Sequence, residues 1–83
     1  MADYHFVYIL RSKSSGRFYT GSSADPDRRL FEHNAGQSKS TRGKGPWERV
    51  FLSEPLAISH ARILEAGIKK RGAQRFLLDV QKQ

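Results

Sequence analysis

Five polar residues have types and spacings that suit the chemistry of a phosphodiester bond. Tyr8 and Tyr19 lie eleven residues apart, Arg29 and His33 lie four apart, and Glu65 follows much later in the chain. Hydrolysis of this bond requires a polarised phosphate, an oriented water with an acceptor for its proton, and relief of negative charge in the transition state. One arginine and one divalent cation can supply most of that relief, so these residues form a candidate catalytic set.

Glu65 is the best candidate for a metal ligand. Mg²⁺ prefers oxygen and can be held by one protein carboxylate together with substrate phosphate and water. Mn²⁺ is the alternative cation. The competing interpretation is an ordinary helix carboxylate that pairs with Lys69, since a glutamate followed by a lysine four residues later is a favourable ion pair.

Arg29 and His33 share one face of a predicted helix and could both reach a bound phosphate. The planar arginine fork binds phosphate oxygens in pairs and stays charged. Imidazole titrates near neutral pH, so His33 could hydrogen-bond the phosphate or move protons. Arg28 is the adjacent alternative, and an ordinary arginine-rich surface helix is the competing interpretation.

Tyr8 and Tyr19 can act together only if both point to the same face of a sheet, which requires a hairpin that pairs them roughly opposite each other. A free phenol has a pKa of about 10. A role as a base therefore requires neighbouring Arg29 and a metal to lower that pKa. The competing interpretation is that Tyr8, in an apolar strand, only packs in the core.

The chain is strongly basic, with 15 Lys and Arg against 8 Asp and Glu and a net charge of +7. Such a surface favours polyanions as partners. Solvated surface charges are the competing interpretation. We expect backbone contacts to nucleic acid that do not depend on base sequence, made by Arg28, Lys39, Arg42, Lys44 and Lys69.

The length of 83 residues suits one compact domain, which we expect to span residues 1–83. The chain has no cysteine, which excludes disulfides, thiolate nucleophiles and cysteine-ligated zinc. No apolar stretch approaches the roughly 20 residues that span a bilayer, and the N-terminus lacks the pattern of a signal peptide. We therefore expect a cytoplasmic protein with no membrane partner.

The first half of the chain predicts a β-hairpin followed by a helix. Residues 4–10 form an almost continuous aromatic and branched run, and residues 17–21 follow a polar connector that ends in glycine. Asp25 and Pro26 are typical of a helix start, with the helix ending near Ala35 and Gly36 as its cap.

The second half predicts a basic loop, a strand and two helices. The composition of residues 37–46 predicts a mobile basic loop, and residues 47–52 are predicted to form a third strand. Ser59 is a plausible cap for a helix that ends at Gly72, and residues 76–80 suggest a short terminal helix packed on the sheet. An apolar stripe runs along the longer helix, formed by Ala61, Leu64 and Ile68. The fold class is α+β, an antiparallel three-stranded sheet flanked by helices in the order ββαβαα.

These residues together resemble the GIY-YIG nuclease superfamily, in particular its short stand-alone members. Phe6-Val7-Tyr8 stands where that family has Gly-Ile-Tyr, and Tyr19-Thr20-Gly21 stands where it has Tyr-Ile-Gly. The resemblance extends over about residues 4–78. The later matches are Arg29 to Asn34, Thr41-Arg42, Ala61, Glu65 and Ile68-Lys69.

The resemblance implies a metal-dependent endonuclease in which Tyr8 is the general base and Tyr19 bonds the phosphate or a metal-bound water. It assigns the stabilisation of transition-state charge to Arg29, which is preferred to Arg28 only because it holds the family register. It assigns metal binding to Glu65. We expect the substrate to be DNA rather than RNA and the process to be DNA repair or processing. A protein partner that targets the enzyme to its substrate is possible. The rival hypotheses are a nucleic-acid-binding module that does not cut alone, and a protein-interaction module that uses residues 76–80.

Overall fold

The structure, a computed structural model, describes residues 3–82. An antiparallel sheet carries three helices, and its strand order is β2 (Phe18–Ser23), β1 (Tyr4–Ser12), β3 (Trp47–Leu52), with β1 at the centre. This confirms the predicted α+β fold class. The elements are β1 (Tyr4–Ser12), β2 (Phe18–Ser23), α1 (Pro26–Asn34), β3 (Trp47–Leu52), β4 (Leu56–Ala57), α2 (Ile58–Arg71) and α3 (Ala73–Gln81).

The sheet has one strand more than the sequence predicts. The two residues of β4 pair with the start of β1, where Tyr4 lies opposite Ala57 and His5 opposite Leu56. A two-residue strand has no period of its own, so its apolar pattern does not distinguish it from a loop. Within residues 3–82, the helices are too short and too polar to cross a membrane.

Strand β1 is buried on both faces over Val7 to Leu10, as its unbroken apolar run predicts. Val7 and Ile9 pack with α2 on one face, whereas Tyr8 and Leu10 pack with Trp47 on the other. Alternate side chains of a strand point to opposite faces. The central strand therefore separates an apolar layer beneath α2 from a polar-aromatic layer beneath α1.

Helix α1 begins where the sequence predicts. The Asp25 carboxylate accepts a hydrogen bond from the backbone N–H of Arg28, at 3.2 Å, and Pro26 occupies the first turn. Gly36 follows the end of the helix with a φ of +77°, a conformation that glycine adopts without steric cost. The two side-chain groups of Asn34 bond the backbone N and O of Trp47, which fixes α1 against β3.

Helix α2 starts one residue before the predicted cap, so the assignment of Ser59 as the cap is wrong. The N-cap residue is Ala57, which makes no side-chain bond to the helix. The pairing of β4 with β1 directs the chain into the helix here, and a capping side chain is not needed to set its entry. Gly72 ends the helix as predicted, with a φ of +95°.

The basic loop between α1 and β3 is held to the hairpin by hydrogen bonds. The Ser12 hydroxyl donates to the Lys44 carbonyl at 2.6 Å, and the indole N–H of Trp47 donates to the Thr41 carbonyl at 3.2 Å. Thr41 is buried at the base of the loop. These contacts fix the backbone of the loop while its lysine and arginine side chains stay exposed.

Candidate active site

The two tyrosines share one face of the hairpin, with ring centres 6.5 Å apart. Tyr8 lies opposite Gly21 and Tyr19 lies opposite Leu10, so the pair is diagonal across the hairpin rather than directly opposite. The Tyr8 ring crosses β2 over Gly21, where a Cβ atom would lie 2.6 Å from its hydroxyl oxygen. The missing side chain at Gly21 therefore allows the Tyr8 hydroxyl to reach the edge of the sheet.

A buried chain of hydrogen bonds runs from Tyr8 into the protein. The Tyr8 hydroxyl lies 3.1 Å from His33 Nε2, and His33 Nδ1 lies 2.7 Å from the Thr41 hydroxyl. The His33 ring packs against Tyr19, with centres 4.8 Å apart. His33 is only 2% exposed, so the structure places it behind the tyrosines and not on the surface beside Arg29.

Burial determines the protonation states of Tyr8 and His33. Burial raises the pKa of the Tyr8 hydroxyl, although the neighbouring Arg29 guanidinium acts in the opposite direction. Burial, together with the positive charge of Arg29, lowers the pKa of His33. At neutral pH the pair therefore consists of a neutral phenol and a neutral imidazole. Arg29 by itself does not lower the pKa of Tyr8 below that of a free phenol.

Arg29 lies on α1 and is partly exposed. Its guanidinium donates to a carboxylate oxygen of Glu32 at 2.6 Å. The other Glu32 oxygen accepts from Nε of Arg28, at 3.2 Å. Glu32 thus binds both arginines through one carboxylate. The charge of Arg29 also acts on the Tyr8 hydroxyl, whose pKa burial raises and Arg29 partly lowers.

Glu65 approaches the same edge of the sheet from α2. One carboxylate oxygen accepts from the Ser22 hydroxyl at 2.9 Å, and the other lies 2.9 Å from the ammonium nitrogen of Lys69. Its negative charge contributes to the raised pKa of Tyr8, so the groups from the two faces of the sheet act on one another around β2. The ion pair with Lys69 that the sequence offered as the competing interpretation is present.

A divalent cation at Glu65 would need most of its ligands from outside the protein. No group of three His, Cys, Asp or Glu side chains within residues 3–82 is arranged to bind a metal ion. Glu65 is half-buried, with 22% of its side chain exposed, and its carboxylate is a hard oxygen ligand. One carboxylate fits Mg²⁺ or Mn²⁺ if substrate phosphate and water complete the coordination shell.

The residues predicted to contact nucleic acid are exposed, but they differ in their partners. Arg28 pairs with Glu32 and Lys69 with Glu65. The three cations of the loop pair with no carboxylate among the described residues. The Arg42 guanidinium donates to the Gly36 carbonyl, and the Lys44 ammonium donates to the Ser40 carbonyl. No hydrogen bond of the Lys39 ammonium is found within residues 3–82.

Three contacts of the site were not assigned from the sequence. Glu32 follows Arg28 and Arg29 by four and three residues, so the helix periodicity already contained that signal. Thr41 stood within the matched family positions without a role. Ser22 gave no signal, because its bond to Glu65 joins residues 43 positions apart.

Comparison with known protein families gives one match that covers most of the chain. The model described as the GIY-YIG catalytic domain matches residues 4–76. This range contains the tyrosine pair, Arg29, His33, Thr41 and Glu65.

Relatives of similar length and a larger nuclease subunit are also similar to this chain. The UPF0213 protein of Haloquadratum walsbyi is 49% identical over 79 residues, which is 89% of this chain and 88% of that protein. The solution NMR structure of a UPF0213 protein from Bacillus halodurans has a TM-score of 0.57 and 33% identity, covering 96% of this chain and 85% of that one. Structure-specific endonuclease subunit SLX1 of Mus musculus is 36% identical over 64 residues, 70% of this chain but only 24% of that protein.

Proposed function

This chain belongs to the GIY-YIG family of nuclease domains, as its motifs predicted, and we propose that it is a metal-dependent endonuclease that hydrolyses phosphodiester bonds of DNA. The observation that carries this proposal is the buried set of hydrogen bonds from Tyr8 through His33 to Thr41, together with the charges of Arg29 and Glu65, which both act on the Tyr8 hydroxyl. Any buried tyrosine hydroxyl needs a hydrogen-bond partner. What supports a proton relay here is that the partner is an imidazole, a group that can take up a proton near neutral pH, in a domain of a nuclease family.

The hydrogen bonds from Tyr8 through His33 to Thr41 supply a route for the proton of the attacking water. With Nδ1–H donating to Thr41, the free lone pair of His33 Nε2 accepts from the Tyr8 hydroxyl. As water attacks phosphorus, its proton passes to the Tyr8 oxygen while the Tyr8 proton passes to His33 Nε2. The new P–O bond forms, the bond to the leaving oxygen breaks, and solvent protonates that oxygen. His33 then returns its extra proton to solvent through Tyr8, which restores the starting protonation of both residues. A phenolate is not needed beforehand, which agrees with the raised pKa of Tyr8.

Positive charge can reach the phosphate from both faces of the edge strand β2, from Arg29 on one face and from a cation at Glu65 on the other. Arg29 can turn part of its fork from Glu32 towards the phosphate oxygens, where a bidentate pair of bonds is strongest in the transition state. A divalent cation at Glu65 would polarise the phosphate and offset negative charge on the leaving oxygen. The Ser22 hydroxyl orients the Glu65 carboxylate for that task.

We propose DNA, handled in repair or processing, as the substrate. The net charge of +7 and the exposed loop cations support a polyanion, and the related mouse protein is named a structure-specific endonuclease subunit. Mg²⁺ is the proposed cation, with Mn²⁺ as the alternative, because a carboxylate oxygen is a hard ligand.

A module that binds nucleic acid but cuts only with a partner is the second candidate. Both oxygens of Glu65 already have partners in Ser22 and Lys69, and Arg29 is engaged by Glu32. The resting site is thus internally neutralised and would need substrate to rearrange it. The name of the mouse relative, a subunit, agrees with dependence on another protein in that case.

Cleavage of labelled DNAs separates the two candidates. Linear, nicked, flapped and branched DNAs and a single-stranded RNA are incubated with Mg²⁺ or Mn²⁺, with wild type, Glu65→Gln and Arg29→Ala. The endonuclease hypothesis requires cleavage by wild type that chelation abolishes and that both variants lose by about 100-fold or more. Binding without any cleavage would instead support the non-cutting module, whereas equal cleavage by the variants would overturn the assignment of Glu65 and Arg29 to the site.

A further inference from the structure

We propose that the tip of the β1–β2 hairpin carries a second phosphate site, which binds the DNA backbone next to the cleavage site. A small pocket there lies between the hairpin turn and the basic loop. It is lined by Ser14, Ser15, Arg17, Gly43 and Lys44. The proposal rests on DNA being the substrate, and it extends the contact surface to Arg17, to which neither the motifs nor the family match gives a role.

Arg17 lies on the same side of the sheet as the catalytic tyrosines. The hydrogen bond from Ser12 N to Arg17 O, at 2.8 Å, continues the register in which Leu10 pairs with Tyr19 and Tyr8 with Gly21. Residues two apart on a strand share a face and are roughly 7 Å apart. A nucleic-acid strand that contacts Tyr19 is therefore within reach of the Arg17 guanidinium.

The pocket offers groups that suit a phosphate. Arg17 and Lys44 supply two positive charges from opposite walls, and Gly43 adds no side chain that would block approach of a phosphate to the backbone. The Ser15 hydroxyl accepts from the backbone N–H of Arg17 at 3.2 Å, which leaves its own proton for a phosphate oxygen. Two cations with a hydroxyl donor favour an anion over any apolar or cationic ligand.

The walls of the pocket are held in place although its charges are exposed. The Ser14 hydroxyl bonds the Gly45 carbonyl at 3.1 Å, and the Ser12 hydroxyl bonds the Lys44 carbonyl at 2.6 Å. The backbone N–H of Lys13 bonds the Pro46 carbonyl at 2.9 Å. Hairpin and loop therefore form one unit, and a bound phosphate does not have to order either of them.

The pocket contains no carboxylate. Glu48, the acidic residue of β3, lies opposite Arg11 and so projects from the other face, where it pairs with Lys13 at 4.0 Å. Within residues 3–82, the Arg17 guanidinium makes no salt bridge. This differs from Arg28, Arg29 and Lys69, each of which is held by a glutamate. Arg17 is thus available to a phosphate without breaking an ion pair.

The test compares Arg17→Gln with Arg11→Gln in DNA binding, with divalent cations chelated so that no cleavage occurs. Both variants lose one positive charge from an exposed arginine of the same hairpin, but Arg11 projects from the opposite face. Fluorescence anisotropy with a labelled flapped DNA is measured over a series of salt concentrations. Urea unfolding of both variants checks that each remains folded.

We expect Arg17→Gln to weaken binding about tenfold at low salt and to reduce the slope of log K against log salt by about 1, whereas Arg11→Gln changes neither. Equal effects of the two variants would overturn the pocket and leave the nuclease proposal intact. If wild type binds but cuts nothing, and Arg17→Gln still loses affinity, the pocket stands and the proposed cleavage fails. If cleavage is observed, Arg17→Gln should raise KM for DNA with kcat unchanged.

Discussion

The Tyr8 ring lies across Gly21, with its hydroxyl oxygen 2.6 Å from the point that a Cβ atom at that position would occupy. The same hydroxyl meets His33 on its other side, at 3.1 Å. Position 21 therefore sets where the hydroxyl can lie, and a glycine in this strand is required by the position of the Tyr8 ring rather than by a turn.

Replacing Gly21 with alanine should displace Tyr8 and lower cleavage with a limited loss of stability. The added methyl group has to push the phenol away, which we expect to reduce the cleavage rate about 100-fold and the free energy of unfolding by about 1–3 kcal/mol. Single-turnover cleavage and urea unfolding measure the two effects. In Gly67→Ala, where a Cβ meets nothing within 4 Å, we expect wild-type cleavage and a gain of about 0.5–1 kcal/mol. Wild-type cleavage by Gly21→Ala would contradict the assigned role of Tyr8.

Removing the Thr41 hydroxyl should leave a buried nitrogen of His33 without a partner. Thr41→Val keeps the shape but deletes the bond to Nδ1, at a cost of about 1–3 kcal/mol in unfolding free energy. The ¹⁵N shifts of the imidazole should then show a changed tautomer, and cleavage should fall because Nε2 is no longer held as the acceptor. Thr41→Ser retains the hydroxyl and should keep the wild-type tautomer. Unchanged imidazole shifts in Thr41→Val would show that Thr41 does not orient His33.

The lowered pKa of His33 makes stability depend on pH. Below about pH 6.5, the unfolded chain binds a proton at this histidine that the folded protein does not bind until a lower pH. The free energy of unfolding should therefore fall as the pH drops below about 6.5, and this contribution should be fully present above it. Urea unfolding of wild type and His33→Gln between pH 8 and 5, roughly the range in which histidine titrates, isolates the effect. The same slope in both proteins would contradict it.

The ammonium of Lys69 should compete with a metal ion for Glu65. In Lys69→Met, removal of a positive charge next to the carboxylate should tighten Mn²⁺ binding about fivefold to tenfold in the absence of DNA. Mn²⁺ binding is measured by electron paramagnetic resonance. Lys70→Met is the control, because its side chain points about 100° away around the helix and makes no ion pair within the described residues. An equal increase in both variants would indicate general charge and not competition at Glu65.

Much of the architecture followed from local signals in the sequence. The bounds of β3, the cap at Asp25 and the helix end at Gly72 were all predicted, since each depends on neighbours a few residues away. The start of α2 was not, because a long-range pairing of β4 with β1 overrides the local preference for a capping serine. The ordered motifs from Phe6-Val7-Tyr8 to Ile68-Lys69 were enough to predict the family, which the match over residues 4–76 confirms.

The sequence by itself determined the three longer strands, the existence of the three helices, the positive charge and the types of the candidate site residues, because short-range periodicity and composition encode them. Only the tertiary structure decided that the tyrosines lie on a diagonal, that His33 is buried behind Tyr8 and that Ser22 holds Glu65. Each of these relationships joins residues that are distant in the chain. Strand register and the packing of α1 and α2 on opposite faces of the sheet select such partners, and no local pattern records that selection.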